Sequence, residues 1–354
     1  MNNKKEYKRK KKKNNTSNQI SNKKRKKEKS VSYKNPGNLK MYKIIDEDLF
    51  CSNNEKSFIV FNSINNIFYL IYIKSHSLIS YDLNEFKKIN EIKNAHNENI
   101  SNIIHIVDQT NKCDLIISIS KEINNIKLWN INNFECLYNF EKIYESGLLS
   151  ACLLNDNNKI YIIVGNDSPL SNYINVFNLN GNKIKDINTS IKGIISLYSY
   201  FDIELSKNYI IAAQDCTIVS YDYNKNELYK KYDCKNVHSH ENIIINDKHK
   251  IIKLIESSGD GYVRIWGFHS GKMIKAIQVG YFLLRGICLW NSEYLFVGCG
   301  NSIITLLSLK KGIIIKNFYG HRNHVEGIKK VYHPKLGECL ISEGFWEDKI
   351  ILWK

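Results

Sequence analysis

Nowhere in this 354-residue chain is there an apolar run near the roughly 18 residues that a bilayer-spanning helix needs. A helical membrane protein is therefore not expected. The basic N-terminus has no apolar segment behind it, so it does not read as a secretory signal. The nine cysteines (Cys51, Cys113, Cys136, Cys152, Cys216, Cys234, Cys288, Cys299 and Cys339) include no C-x-x-C pair and no zinc-ligand spacing. They read as buried thiols of a reducing compartment. Also missing are a G-x-S-x-G elbow, a G-x-x-x-x-G-K-[ST] phosphate loop, a kinase signature and a histidine pair at helical spacing. No catalytic residue, metal, cofactor or small-molecule substrate is expected from what remains.

The formal charge of +16 is unevenly placed. Residues 1–30 hold 14 Lys and Arg against two Glu, which leaves 37 basic and 33 acidic residues for the rest of the chain. The basic character thus belongs to a tail, residues 1–36, whose like charges and scarcity of aliphatic residues predict disorder. Two clusters in it, around Lys8, Arg9, Lys10 and Lys11 and around Lys23, Lys24, Arg25 and Lys26, have the form of a bipartite nuclear import signal. The expected location is the nucleus, with the nucleolus as a narrower address and the cytoplasm as the alternative. The same lysines could hold nucleic acid without sequence preference. Having few apolar residues to insert, the tail is not expected to bind membranes.

Beyond Pro36 and Gly37 the chain shows no helical periodicity. It consists of short β-rich runs such as FYLIYIK, KIYIIVG and YLFVGCG, separated by Asn, Asp, Gly and Ser turns. Seven of these runs end on a bulky residue at one fixed place: Tyr81, Trp129, Phe177, Tyr221, Trp266, Leu307 and Trp353, spaced by 48, 48, 44, 45, 41 and 46 residues. A period of about 40 to 45 residues is that of a four-stranded propeller blade. Six repeats run on into a further strand, as in GKMIKAI after Trp266 and GIIIKNF after Leu307, but only Lys354 follows Trp353. GNLKMYKI, beginning at Gly37, has the same form and belongs to no repeat. The fold expected is therefore all-β: a seven-bladed propeller over residues 37–354, closed by pairing of an N-terminal strand, Lys40 to Ile45, with the last blade. Closure removes the free ends of the array.

The last repeat, GHRNHVEGIKKVYHPKLGECLISEGFWEDKIILW, resembles a WD-repeat, with Gly320 and His321, the turn of His333 and Pro334, and the closing Leu352 and Trp353. SSGDGYVRIW, with Asp260 six residues before Trp266, is similar. This resemblance to the WD-repeat propellers implies a structural hydrogen-bond network within blades, here His240, Ser258, Asp260 and Trp266, and His321, Ser342, Asp348 and Trp353. His, Ser and Asp in these sets could be mistaken for hydrolase triads, yet a triad would also need an exposed nucleophile, an oxyanion hole and a substrate pocket, and the structural reading is the one expected. A lipid-binding propeller class carries paired arginines in an FRRG motif. LLRG here offers one, Arg285, and is displaced.

The resemblance further implies that loops entering the blades share a face with the aspartate turns and that this face meets partners. Tyr281, Phe282, Arg322, His324, Phe345 and Trp346 are the candidate contacts, being aromatic or cationic residues in such loops. The function expected is a noncatalytic scaffold for proteins or peptides in a nuclear complex. The alternative is an RNA- or DNA-associated factor, for example in ribosome biogenesis, that uses the tail.

Overall fold

The computed structural model describes residues 35–46, 58–109, 111–120, 126–140, 148–166, 173–189, 193–214, 217–233, 240–247, 251–345 and 349–354. The sequence readings on the basic tail and on Trp346 and Asp348 lie outside them. Of the two compact units, only that from Pro36 to Lys354 is described.

Seven four-stranded antiparallel sheets make the ring. Blades 1 to 6 are continuous in sequence and occupy 58–92, 100–140, 148–188, 196–232, 240–278 and 284–319. Each has its strands in chain order, and the first strands of adjacent blades run beside one another, forming the inner circle. Blade 7 takes three strands from 325–353 and its outer strand, Met41–Asp46, from the other end of the chain. Met41 pairs with Trp353 and Ile44 with Ile351. The amides of Lys40 and Lys354 each donate to the other's carbonyl at 2.9 Å. Gly37 differs from the expected pattern, because it lies in a short 3-10 turn, Pro36–Asn38, and the strand starts at Met41.

The seven bulky residues occupy one site. Each lies at the end of the third strand of its blade, one residue before its last in blades 1 to 6 and at the last in blade 7, and each is buried, from Leu307 at 0% exposed to Tyr81 at 8%. At every one of them the pairing with the outer strand slips by a bulge. A bulge increases local twist, and here it turns the bulky side chain toward the preceding blade. Trp129 packs in a cluster shared by blades 1 and 2, Tyr221 between 3 and 4, and Trp353 between 6 and 7. The core is accordingly seven separate inter-blade clusters. The one that holds Phe58, Tyr81, Val331 and Leu352 joins the last blade to the first.

The turns from third to outer strand explain the regularity. In blades 1 to 6 one turn residue is left-handed: Phe86, Phe134, Gly181, Asn226, Gly271 and Gly312. Glycine takes that conformation without steric cost, which is why glycine opens two of the strands so visibly. Among the described cysteines, Cys288, Cys299 and Cys339 are buried, whereas Cys113 and Cys152 are half-buried and Cys136 is exposed. The uniform expectation of buried thiols is corrected to that extent. Cys136 lies on an outer strand with solvent on one side. No described helix is long and apolar enough to cross a membrane.

Candidate functional site

Each blade opens at one end of the ring, where the chain passes from an outer strand to the next inner one. We call this end the crossover face. Near it, the inner strands of blades 2, 3, 5, 6 and 7 break register with their second strands. In blades 5, 6 and 7 the slip falls beside a charged residue: Glu241, Arg285 and Glu326. Bulges re-aim side chains. Here they gather two carboxylates and a guanidinium from three consecutive blades, although the residues stand about 40 positions apart in sequence.

Arg285 bridges the blades. Its Nη1 lies 2.9 Å from the Glu326 carboxylate, and its carbonyl accepts from Ser257 Oγ at 2.7 Å. Burial pushes the Glu326 carboxyl up to about 7, against the pull of Arg285 and with a further push from Glu241. A group held near neutrality changes charge easily when a ligand arrives.

Phe345 lies next to this cluster. The His324 ring stacks on it with centroids 5.9 Å apart and planes at 19°, and the Phe345 amide donates to the His324 carbonyl at 2.7 Å. The Arg285 guanidinium carbon stands 5.9 Å from the Phe345 ring centre. Burial, and then the nearby Arg285 charge, lower the His324 pKa, so the imidazole is neutral at pH 7. Two buried atoms of this group, Arg285 Nε and His324 Nδ1, have no hydrogen-bond partner among the described residues. Buried polar atoms are nearly always paired.

The remaining candidates are placed less alike. Tyr281 is 94% exposed in the loop entering blade 6, and Arg322 is exposed after His321. Phe282 is half-buried against the cluster between blades 5 and 6, under Gly280. It serves packing. Glu241, Arg285 and Glu326 were missed as a group by sequence reasoning. Their signal was present: each is a charge near the start of an apolar inner strand, at the same place in three repeats.

The buried networks also differ from blade to blade. In blade 7, Trp353 Nε1 donates to Ser342 Oγ at 2.7 Å, and His321 Nε2 is 2.7 Å from the same oxygen. Blade 2 repeats this with Trp129, Ser118 and His96 at 2.8 and 2.6 Å. Blade 5 does not. There His240 Nδ1 sits against the Glu256 carboxylate, out of line for a hydrogen bond, and Trp266 Nε1 has no partner among the described residues. Asp260 pairs with Arg264. Burial would raise the Asp260 carboxyl, but hydrogen bonds from Arg264 and Ser258 outweigh it and hold it low. Of the network expected of His240, Ser258, Asp260 and Trp266, the Ser258–Asp260 bond is kept, while His240 and Trp266 are left out of it where Glu256 and Arg264 bring a buried ion pair into the same space.

Ser342 and Ser258 are fully buried. Among the described residues no group of three His, Cys, Asp or Glu could hold a metal ion. No family model and no curated protein matches the chain.

Proposed function

We propose that this protein is a noncatalytic, WD-repeat-like scaffold that holds a protein or peptide partner against the crossover face of blades 5 to 7. The carrying observation is the cluster at this end of the ring, where half-buried Arg285 and His324 flank Phe345 and Tyr281 stands 94% exposed in the loop entering blade 6. The partly exposed guanidinium of Arg285 can give a hydrogen bond to a partner's oxygen, and Phe345 and Tyr281 supply aromatic anchors. Burial of Ser258 and Ser342 supports the noncatalytic reading, since neither hydroxyl can reach a substrate. Import into the nucleus, and loose contact with nucleic acid, rest on the lysine clusters of residues 1–30.

The test is comparative. Proteins co-purifying with the full chain are quantified by mass spectrometry beside those of a Tyr281→Ala, Phe345→Ala double variant of matched thermal stability. Selective loss of a reproducible partner is expected. Recovery of the same partners by both proteins, or of none by either, would refute the proposal.

A further inference from the structure

Among the described residues the outer strand of every blade is bonded on one edge and open on the other. An open edge is a row of unpaired N–H and C=O groups that invites another strand, and natural proteins guard it with charge, lysine above all. Blade 1 carries Lys87, Lys88 and Glu91 on its outer strand, blade 3 Lys183, Lys185 and Asp186, and blade 4 Glu227, Lys230 and Lys231.

The outer strands of blades 2 and 5 carry one charged residue each, Glu135 and Lys275, and blade 6 goes further in its run of isoleucines. Its outer strand, Ile313–Tyr319, has one charged residue, Lys316. That lysine is committed elsewhere, donating from Nζ to the Gly37 carbonyl at 2.6 Å. It acts as a staple to the neighbouring chain, as Lys275 does toward the carbonyls of Leu309 and Lys310. Three consecutive isoleucines remain, Ile313, Ile314 and Ile315, exposed by 49, 43 and 42%, with Tyr319 at 68% beyond them. Side chains alternate along a strand, so this edge is apolar on both faces. Just before it stand Lys310 and Lys311, both exposed and with no ion pair among the described residues.

We infer that the edge of Ile313–Tyr319 is a docking edge for an extended segment of a partner protein. The segment adds a fifth strand to blade 6 by backbone hydrogen bonds, lays apolar side chains on the isoleucines, and carries acidic residues where it passes Lys310 and Lys311. Strand addition obtains affinity from the main chain and specificity from alternate side chains. Charge complementarity sets the acidic end. A second copy of the chain is the poorer occupant, since a seven-residue edge offers far less than the roughly 1,200–2,000 Å² that a stable interface buries.

The probe is a labelled peptide of alternating valine and threonine with two aspartates at each end, titrated into the full chain at low salt and followed by fluorescence anisotropy and hydrogen exchange. Saturable binding is expected, with amide exchange within Ile313–Tyr319 slowed about 10-fold or more. A peptide N-methylated at alternate positions, or one with lysines in place of aspartates, should bind wild-type protein about 10-fold more weakly. The Ile313→Lys, Ile315→Lys variant should lose affinity similarly, with thermal stability unchanged because both side chains are exposed. Equal binding of the N-methylated peptide, no binding at millimolar concentration, or a dimer that the double variant abolishes would each overturn the inference.

Discussion

Trp353 and Trp266 hold the same place in blades 7 and 5 and are nearly equally buried, at 3 and 2%. Their indole N–H groups are not in the same condition. Trp353 Nε1 donates to Ser342 Oγ, whereas Trp266 Nε1 is unpaired among the described residues and packs edge-on to Tyr232. Replacing either by phenylalanine removes a similar volume from an inter-blade cluster, so the packing losses largely cancel in a comparison. Trp353→Phe loses in addition a hydrogen bond worth about 1 kcal/mol, and Trp266→Phe removes a buried unsatisfied donor that costs about 1–3 kcal/mol. Trp353→Phe should therefore be the more destabilising by about 2–4 kcal/mol. The assay is urea unfolding of the full chain by far-ultraviolet circular dichroism, with midpoints compared at a shared slope. A Ser342→Ala, Trp353→Phe cycle should show a coupling of about 0.5–3 kcal/mol. Equal losses at the two tryptophans, or a larger one at Trp266, would refute this account of the blades.

Glu326 gives a pH signature. Its folded-state pKa of about 7 lies above the ordinary 4.5, so between these values the folded protein keeps a proton that the unfolded chain releases. Stability contributed by the protonated group is then lost as pH rises from about 4.5 to 7 and levels off above it, and Glu326→Gln should flatten that slope in denaturant titrations. Gly286→Ala and Gly298→Ala should each cost about 3 kcal/mol or more by thermal unfolding, because a Cβ would stand 2.3 Å from the Glu326 carbonyl oxygen and 2.2 Å from that of Val325. Removing residues 1–30 should leave the melting temperature unchanged. Removing 1–46 takes away the outer strand of blade 7 and should yield an opened, aggregating ring by light scattering.

Most of the fold was legible because one physical requirement repeats. The bulky residue at the end of each third strand fills the gap to the previous blade, so Phe177 and Leu307 are readable by spacing even where no WD-repeat signature surrounds them. Closure was legible for a related reason: a strand-like segment, Lys40 to Ile45, stood without a repeat and a repeat stood without its outer strand. The crossover site was only half legible. His324 and Phe345 stand out as aromatic residues in loops, but Arg285 acquires meaning only when bulges and ring geometry bring it beside Glu326. The blade 5 network misled for the opposite reason. Its His, Ser, Asp and Trp come in the same order as in blade 7, while the buried charges that displace part of the network, Glu256 and Arg264, lie on neighbouring strands and are indistinguishable in sequence from surface residues.

The central claim is that partners are held on the crossover face. Tyr281 stands on that face, 94% exposed, and Tyr332 stands 69% exposed at the opposite end of blade 7, beside the hairpin that follows His333. A photoreactive amino acid placed at each position in turn, in the full chain in cells, reports which end is occupied. The account predicts a discrete crosslinked protein at position 281 that is lost on Phe345→Ala and absent at position 332. Crosslinking at 332 alone, or a product at 281 indifferent to Phe345, would contradict it.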